Sequence, residues 1–412
     1  MTTNLTNSTN KVPNVPPLRF PEFTGEWEKI KVSDLLDFYS TNSLSWEQLE
    51  YDTTNLLNLH YGLIHIGLPT LIDLRTSKLP NIKKECLPTK YEICKEGDVA
   101  FADASEDTNE VAKVVEFYNL NGKKVVCGLH TIQGRDNKGK TILGYKGYAL
   151  SSQPFHFQIR RLAQGTKIYA VSVKNFTESY ISIPSKEEQR KIVSLLSLLD
   201  SRIETQNKII QHLESLIKGI NDNVLWQYKN KVALREILKE RSERTATNNQ
   251  YPIISSTAKG LFLQSEYFDK EIASADNIGY KVLRKENIVL SPQNLWLGNI
   301  NYNDKYEIGM VSPSYKIFTI SENFNSFYVA CLLKTYRALY EYACVSEQGA
   351  SVVRRNLDME AFMEILFPIP TIEEQSRIAE GLQHLYHKLE IEKQILEKLK
   401  EQKKYLLSQM FI

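Results

Sequence analysis

The sequence of 412 residues predicts an α+β protein with two mixed α/β domains, each followed by a long helix, the two helices pairing as a coiled coil. One observation is a repeat: IPSKEEQRKIVSLL at 183–196 returns as IPTIEEQSRIAEGL at 369–382, an offset of 186 residues (369 minus 183). This period is far longer than that of solenoid or propeller repeats, so each unit is a whole domain with its helix. The other observation is that helical apolar periodicity follows each copy, whereas short β-rich runs lie between the copies.

Composition and charge are those of an ordinary globular protein. Hydrophobic residues make up 42% of the chain and charged residues 24%, and the formal net charge is +2, so any basic surface must be local. The five cysteines include no C-x-x-C pair, which disfavours a zinc site and a disulfide framework. The sequence contains neither a signal peptide nor a long apolar run, so we expect a cytoplasmic protein without membrane contact.

The two globular domains are assigned from their β-rich runs. Segment 1–16 is polar and is expected to be disordered. Residues 17–182 form the first domain, with runs such as VAFAD and KIYAVSV, and residues 230–368 form the second, with KENIVL and SYKIFTI. Their openings share the spacing of KVSDLL at 31–36 and ALREIL at 233–238.

The long helices are assigned to residues 183–229 and 369–412. Each begins with an N-cap residue, Ser185 or Thr371, followed three residues later by glutamate as in a capping box. Helices of roughly 40 residues are on the order of 60 Å long, so each needs a partner helix, and the nearest is the other copy. The predicted heptad seam consists of Ile192, Leu196, Leu199, Ile203, Gln206, Ile210 and Leu213 in the first helix and Ile378, Leu382, Leu385, Leu389, Glu392, Leu396 and Leu399 in the second.

These features together carry a family resemblance. With PLRFPEFTGEWEKIKVSDLL at 17–36, the twice-used P-x-x-E-E-Q helix opening and the domain–helix–domain–helix order, the chain resembles the DNA specificity subunit of a type I restriction-modification system. The resemblance implies that residues 17–182 and 230–368 are target recognition domains, each reading one half of a split, non-palindromic DNA sequence. It implies that the helices form an antiparallel coiled coil that sets the spacer, with a pseudo-two-fold axis that matches the backbone symmetry of duplex DNA.

The resemblance also implies partners and cofactors. The partners are double-stranded DNA, two methyltransferase subunits docked on the coiled coil, and restriction and translocase subunits recruited through the complex. S-adenosylmethionine, ATP and Mg are then used by the partner subunits, and this chain binds no cofactor.

Catalytic motifs are not found in the sequence. The only Pro-Pro, Pro16-Pro17, precedes Leu18 and does not form the Asn/Asp-Pro-Pro-aromatic motif of adenine methyltransferases, and we find no nuclease or helicase motif. We therefore predict a non-catalytic recognition subunit acting in host defence. The alternative is a structural or regulatory DNA-bridging protein with a coiled-coil spacer and no enzyme partners.

Two further motifs suggest a phosphate-binding loop and a metal site, but simpler explanations fit both. GRDNKGKT at 134–141 matches G-x-x-x-x-G-K-[ST], but TILGYKGYALSS follows where a phosphate-binding loop needs a helix. We therefore favour a turn or a basic loop over ATP binding. His384 and His387 lie three residues apart near Glu380 on the second helix, but nothing supplies further ligands, so no metal site is predicted.

Candidate DNA contacts follow from side-chain chemistry. Arginine grips guanine through two hydrogen bonds, Asn or Gln suits adenine, and lysine mostly meets phosphate. In the first domain the candidates are Arg135, Lys138, Lys140, Arg160 and Arg161. In the second they are Arg241, Arg244, Lys281, Arg284, Gln293, Asn294, Trp296, Arg354 and Arg355. Ordinary surface charge is the alternative for each, and no general code connects such residues with a DNA sequence.

The antiparallel arrangement makes a prediction about neighbours along the seam. It places Leu199 near Leu399 and Leu213 near Leu385. Gln206 and Glu392 each lie near the middle of their helix, where a polar step fixes register at some cost in stability.

Overall fold

The chain divides into two compact units, which are described separately. The computed structural model describes residues 13–53, 55–108, 110–165, 167–267, 276–348 and 354–412. Unit 1 comprises the residues up to 206 together with 395–412, and unit 2 comprises 207–394. Each unit therefore contains one α/β domain, here called head 1 and head 2, and a part of both long helices.

Most of the segment expected to be disordered, residues 1–12 of 1–16, lies outside the described residues. Asn14, however, is fixed against Trp27. Its carbonyl oxygen accepts a hydrogen bond from Trp27 N at 2.8 Å, and its side-chain amide donates to Trp27 O at 2.7 Å. Head 1 therefore reaches back at least to Asn14, whereas the sequence placed its start at residue 17.

Head 1 is built on two sheets. The larger has the strand order β2-β11-β7-β9-β5 and the smaller β10-β4-β6-β3. The strands are β1 (Glu28–Lys31), β2 (Asp37–Tyr39), β3 (Leu49–Glu50), β4 (Leu57–Leu59), β5 (Leu71–Asp73), β6 (Asn81–Ile82), β7 (Val99–Ala102), β8 (Ala104–Ser105), β9 (Val114–Asn119), β10 (Val125–Cys127), β11 (Thr131–Arg135), β12 (Tyr169–Ala170) and β13 (Tyr180–Ile183). The helices are α1 (Val32–Leu35), α2 (Tyr61–Ile66), α3 (Tyr145–Leu150), α4 (Gln153–Leu162) and α5 (Val173–Thr177), with short 3-10 turns at Trp46–Gln48 and Lys84–Cys86.

Head 2 is built on one four-stranded sheet, ordered β15-β22-β19-β20, and several strand pairs. The strands are β14 (Lys231–Ala233), β15 (Leu238–Arg241), β16 (Ile254–Thr257), β17 (Gly260–Leu263), β18 (Lys281–Arg284), β19 (Ile288–Leu290), β20 (Ile300–Tyr302), β21 (Ile308–Val311), β22 (Lys316–Ile320), β23 (Ser346–Gln348), β24 (Arg355–Leu357) and β25 (Leu366–Pro368). The helices are α7 (Leu234–Ile237), α8 (Gln264–Tyr267), α9 (Ser326–Leu333), α10 (Tyr336–Cys344) and α11 (Met359–Glu364), with a 3-10 turn at Leu295–Leu297.

The two heads share a framework. The order β15-β22-β19-β20 in head 2 repeats β2-β11-β7-β9 in head 1, and each neighbouring pair is antiparallel. A helix pair, a short helix and a last strand follow, and that strand pairs antiparallel with the first strand, β13 with β1 and β25 with β14. The matching openings seen in the sequence are the first strands with their helical turns α1 and α7. The prediction of two mixed α/β domains is confirmed.

Two helices of 38 residues each, α6 (Lys186–Asn223) and α12 (Ile372–Gln409), follow the heads. Ser185 Oγ accepts a hydrogen bond from Glu188 N at 3.2 Å and Thr371 Oγ1 from Glu374 N at 3.4 Å, so both predicted N-caps are confirmed. The Glu188 carboxylate does not close the expected capping box, because both of its oxygens accept hydrogen bonds from Arg19, each at 2.8 Å.

The predicted heptad seam agrees with burial along both helices. Its members are all buried or half-buried. The buried ones are Ile192, Leu196, Leu199, Gln206, Ile210, Leu382, Leu389, Leu396 and Leu399, and the half-buried ones are Ile203, Leu213, Ile378, Leu385 and Glu392. Burial of one stripe on each helix is what a two-helix coil requires.

The helices run antiparallel within each unit. Unit 1 contains the start of α6 and the end of α12, and there Leu199 and Leu399 belong to one apolar core. Unit 2 contains the end of α6 and the start of α12, where Lys393 Nζ lies 2.8 Å from Glu214 Oε1. The antiparallel coil is thus confirmed, whereas the pairing of Leu213 with Leu385 stays a prediction. No helix among the described residues is both long and apolar enough to cross a membrane.

Candidate nucleic-acid interface

The repeated EEQ motif seats each head on its long helix through the glutamine. Gln189 is fully buried, donates from Nε2 to Pro184 O at 3.0 Å and accepts at Oε1 from Ile142 N at 2.9 Å. Gln375 donates to Pro370 O at 3.0 Å and accepts from Asn325 N at 2.9 Å. In each unit the amide therefore bridges the end of the last strand and the backbone just before the first helix of the head's helix pair.

A buried tyrosine completes the same contact in each unit. Tyr145 OH donates to Ser182 O at 2.9 Å, and Tyr328 OH donates to Pro368 O at 3.4 Å. Each tyrosine lies three residues after the backbone amide that the glutamine binds. We call the glutamine and tyrosine of each unit the head–helix joint. Neither tyrosine was predicted from the sequence, because the two share no recognisable flanking motif.

Unit 1 adds an ion pair to its joint. Lys403 Nζ lies 2.6 Å from Asp200 Oδ1, and Tyr148 OH donates to Asp200 Oδ2 at 2.9 Å. Lys403 also reaches Thr70 Oγ1 at 3.3 Å. Lys403 lies 186 residues after Ile217, at the matching position of the repeat, and these polar contacts explain why it is a lysine there and not an isoleucine. Burial and the neighbouring Asp200 carboxylate raise the pKa of Tyr148, so its hydroxyl stays a donor.

Arg135 is a correction to the predicted DNA contacts. Its side chain is buried and is bound by two carboxylates. Nε and Nη2 each donate to Asp98 at 2.7 Å, and Nη1 donates to Glu92 at 2.8 Å. The guanidinium also lies 4.4 Å from the ring of Tyr39. Hydrogen bonds to Asp98 raise the pKa of Arg135. This arginine stabilises the head 1 sheet and is not presented to a ligand.

The segment of head 1 that matches a P-loop is a turn, as the sequence predicts. Strand β11 ends at Arg135, Gly139 adopts a positive φ of 63°, and α3 begins only at Tyr145. Lys140 is half-buried and lies 2.6 Å from Glu28 Oε1, whereas Lys138 is exposed and donates to Asp34 O at 2.5 Å. The helix start that a phosphate-binding loop needs is absent at Lys140, so this segment is a basic turn.

Arg160 and Arg161 lie in the last turn of α4. Both are exposed, and the Arg161 guanidinium lies 5.9 Å from the ring of Phe157. Their positions are those of surface residues that DNA can reach. They remain predicted contacts.

Four of the head 2 candidates are grouped near β18 and β15. Arg241 and Arg284 both bind the carboxylate of Glu243, at 3.1 and 2.6 Å, and hydrogen bonding from Arg284 lowers the pKa of that carboxyl. Lys281 is buried, which lowers its pKa and argues against its prediction as a DNA contact. Arg244 is exposed and donates to Gly279 O at 2.8 Å. One carboxylate, that of Glu243, pairs with two of these four cationic residues, so the group keeps a net positive charge.

The remaining head 2 candidates are brought together by the fold. Arg355 N donates to Gln293 O at 3.0 Å, and the Arg355 guanidinium lies 4.2 Å from the ring of Trp296. Gln293 and Arg354 are exposed, whereas Asn294 is half-buried. Residues 293–296 follow β19, and Arg355 begins β24 after the helix pair. Two connections that are distant in sequence thus form one surface.

The same two connections meet in head 1. There β8, which follows β7, pairs with β12, which follows the helix pair, through Ser105 with Tyr169 and Ala104 with Ala170. Because β7 and β19 hold equivalent sheet positions, these are the equivalent surfaces of the two heads. The backbone arrangement recurs while the side chains differ.

An aromatic patch borders this surface in head 1. His65 Nε2 lies 2.9 Å from Ala104 O, and the Tyr61 ring lies 5.2 Å from the His130 ring. His60 lies between Trp46 and Tyr61, with ring centroids 4.4 and 4.7 Å apart, and burial lowers the pKa of His60. This patch was not predicted from the sequence, although HYGLIH at 60–65 places two histidines and a tyrosine within six residues.

The described residues offer no metal centre. His384 and His387 are both exposed on α12. Among the described residues, no group of three or more His, Cys, Asp or Glu side chains is arranged to hold a metal ion.

One protein-family model matches parts of both heads and of both long helices. The family model described as "Type I restriction modification DNA specificity domain" matches residues 77–215 and 232–401. A protein described as the MjaX specificity subunit of a type I restriction enzyme, from Methanocaldococcus jannaschii, is 23% identical over 97% of this chain and 96% of its own length.

Solved structures have the same fold. The crystal structure of a type I restriction-modification system S subunit from M. genitalium has a TM-score of 0.55 and 17% identity, covering 97% of this chain and 99% of that chain. A structure concerning complex assembly and conformational transition of the type I R-M system has a TM-score of 0.56 and 14% identity, covering 95% and 98%. In both cases the likeness covers at least 95% of each chain.

Proposed function

Because the chain belongs to the type I restriction-modification DNA specificity family, and so serves to recognise a DNA sequence, we propose that each head reads one half of a bipartite site. The paired helices α6 and α12 set the number of base pairs between the half-sites. The observation that carries this proposal is the repeated head–helix joint. Two heads with one framework, seated alike on antiparallel helices, suit a duplex whose backbone has two-fold symmetry.

The half-sites differ in sequence, so the whole site is not a palindrome. This part of the proposal is supported by the equivalent surfaces of the heads. Head 1 carries the aromatic patch with Tyr61 and His130, whereas head 2 carries Trp296 and Arg355. Direct readout depends on the hydrogen-bonding groups that a side chain offers to base edges, so unlike side chains select unlike bases.

The long helices provide docking surfaces for two methyltransferase subunits. Large apolar side chains remain exposed on faces away from the seam: Leu198 is 67% exposed and Tyr405 58% in unit 1, and Leu216 is 50% exposed in unit 2. Exposed apolar groups on a helix favour protein contact. Restriction and translocase subunits join through the methyltransferases.

The chemistry belongs to these partners. They use S-adenosylmethionine, ATP and Mg, while this chain binds DNA in the cytoplasm and holds no cofactor. The rival function, a structural or regulatory DNA-bridging protein, requires no enzyme partner.

The test is reconstitution with a methyltransferase subunit and S-adenosylmethionine, followed by mapping of methylated adenines. We expect methylation at one split sequence by the complex, and neither methylation nor cleavage by the isolated chain. Replacing residues 17–182 with the first head of another family member should change one half-site only. Robust activity of the isolated chain, or a change in both half-sites, would contradict the proposal.

A further inference from the structure

The surface of head 2 where Arg355 meets Trp296 supports an assignment at the level of a single base. We propose that Arg355 is a specificity-determining residue that reads a guanine in the half-site of head 2, with Trp296 as the platform that orients its guanidinium. This inference rests on the proposed function and names the base that one residue of the interface recognises.

The backbone around Arg355 is fixed from two sides. Strand β24 pairs antiparallel with β23, so that Arg355 lies opposite Gln348. The Arg355 amide also donates to Gln293 O at 3.0 Å, which ties β24 to the connection after β19. The position from which the side chain departs is therefore set by the sheet framework of the head.

The side chain is oriented by stacking. Its guanidinium carbon lies 4.2 Å from the centroid of the Trp296 ring, and Nη1 has one long hydrogen bond, 3.4 Å, to Ala343 O. A planar, weakly hydrated guanidinium stacks well on an aromatic face and loses little further freedom when it binds. Stacking leaves the edge of the guanidinium, which carries its donors, for a ligand in the same plane.

Arg355 differs from the arginines that have a structural role. Arg135, Arg241 and Arg284 are each held by a carboxylate. Within the described part of the chain, Arg355 has no acidic partner. No described carboxylate therefore neutralises its charge, which an electronegative ligand can meet.

Two polar atoms of this surface have no hydrogen-bonding partner among the described residues. They are the buried side-chain atoms Arg355 Nε and Asn294 Oδ1, and both lie in this one cluster. Buried polar atoms are nearly always bonded, so each such atom calls for a partner that the unbound protein does not supply. The edge of a base pair offers both donors and acceptors, and small side-chain movements on binding would satisfy these atoms.

Guanine is the base whose major-groove acceptors match the paired donors of an arginine. Its O6 and N7 accept two parallel hydrogen bonds in the major groove, whereas adenine presents one donor and one acceptor there. In head 1 the equivalent strand pair, β8 with β12, consists of Ala104, Ser105, Tyr169 and Ala170. The equivalent strand pair of head 1 thus has no arginine that could make this contact.

The experiment uses the full chain in complex with its methyltransferase. Exchange of residues 17–182 first identifies which half-site belongs to head 2. Methylated sites are then mapped for the parent, R355A, R355K and W296A, with R354A as the neighbouring exposed control. We expect R355A to relax preference at one G·C position of the head 2 half-site by about 5- to 150-fold, the range that one bidentate contact supplies.

The variants separate base reading from charge and from folding. R355K keeps the charge but not the planar fork, so it should relax the same position, and W296A should do so in part. R354A should weaken methylation at all sites alike. Unchanged preference at the head 1 half-site serves in each variant as the internal measure of an intact complex.

Three results would overturn the assignment. They are a head 2 half-site without a G·C pair, an R355A complex that keeps every base preference, and an R355K complex that matches the parent. A parent complex that methylates without sequence preference would instead refute the proposed function, so the two failures are distinguishable.

Discussion

Gln189 and Gln375 make the same pair of hydrogen bonds in their respective units, one to the carbonyl of a proline five residues earlier and one from a backbone amide of the head. Their side chains are 0% and 2% exposed, so both bonds lie out of reach of water. These shared hydrogen bonds explain why both copies of the motif contain the glutamine.

Removing either glutamine side chain should destabilise its own unit. Q189A or Q375A leaves a buried backbone amide and a buried carbonyl without partners, at a cost of about 1–3 kcal/mol in the free energy of unfolding. Chemical denaturation measures this loss. The matched controls are Q211A and Q383A, at exposed positions of the same two helices, and an equal loss in the controls would contradict a role for the joint.

The ion pair between Asp200 and Lys403 should be energetically coupled. Its side chains are only 23% and 21% exposed, so solvent screens the pair less than a surface pair. In a double-mutant cycle with D200N and K403M, we expect a coupling energy of about 0.5–3 kcal/mol that falls only weakly with added salt. The exposed pair of Lys398 with Glu401 is the control, and coupling as small as in that pair would refute a stabilising role.

Stability should fall as the pH drops below the usual histidine range. Burial lowers the pKa of His156 and of His60, so both imidazoles accept a proton more readily in the unfolded chain than in the folded one. Their stabilising contribution is complete above about pH 6.5 and is lost as the pH falls below it, by up to about 1.4 kcal/mol per pH unit for each group. Thermal melting of the parent and of H156F between pH 5 and 7 should show a shallower pH dependence in the variant.

A variant without a change in titratable groups provides the control for this pH dependence. Q211A, at an exposed position of α6, should melt with the same pH dependence as the parent. If H156F also followed the parent curve, His156 would not contribute to it.

Lengthening both helices should lengthen the DNA spacer. One heptad inserted at equivalent points of α6 and α12 preserves the seam and adds roughly 10 Å at 1.5 Å per residue. That length corresponds to about three base pairs, which also rotate the duplex by roughly 100°. We expect the variant to keep both half-site sequences, to bind DNA more weakly and to prefer a longer spacer in methylation mapping. An active variant with an unchanged spacer would show that the heads set the distance.

The parts of the fold that local pattern governs could be predicted from the sequence. The heptad seam, the N-caps Ser185 and Thr371 and the antiparallel direction follow from periodicity, capping chemistry and the family resemblance. Their physical causes act over a few residues or along one helix, so they leave a readable trace.

The candidate site could be predicted only in part, because it depends on which distant segments meet. Arg135 and Arg355 are the same residue type, yet Arg135 binds Asp98 inside the sheet and Arg355 stacks on Trp296. The aromatic patch around His60 was missed for the same reason, since Trp46 and His130 join it from other parts of the chain. Pairing across a sheet is set by tertiary packing and not by local composition.

The head–helix joint has a consequence for inheritance. The side chains of Gln189 and Tyr145 bind main-chain atoms of Pro184, Ile142 and Ser182, and the joint of unit 2 likewise binds main-chain atoms. Main-chain groups are the same whatever residue carries them, so the residues at these bonded positions can change without removing the hydrogen-bonding partners of the joint. Under the proposed function, a lineage can therefore acquire a new target by replacing one head, while the rest of the protein need not change in step.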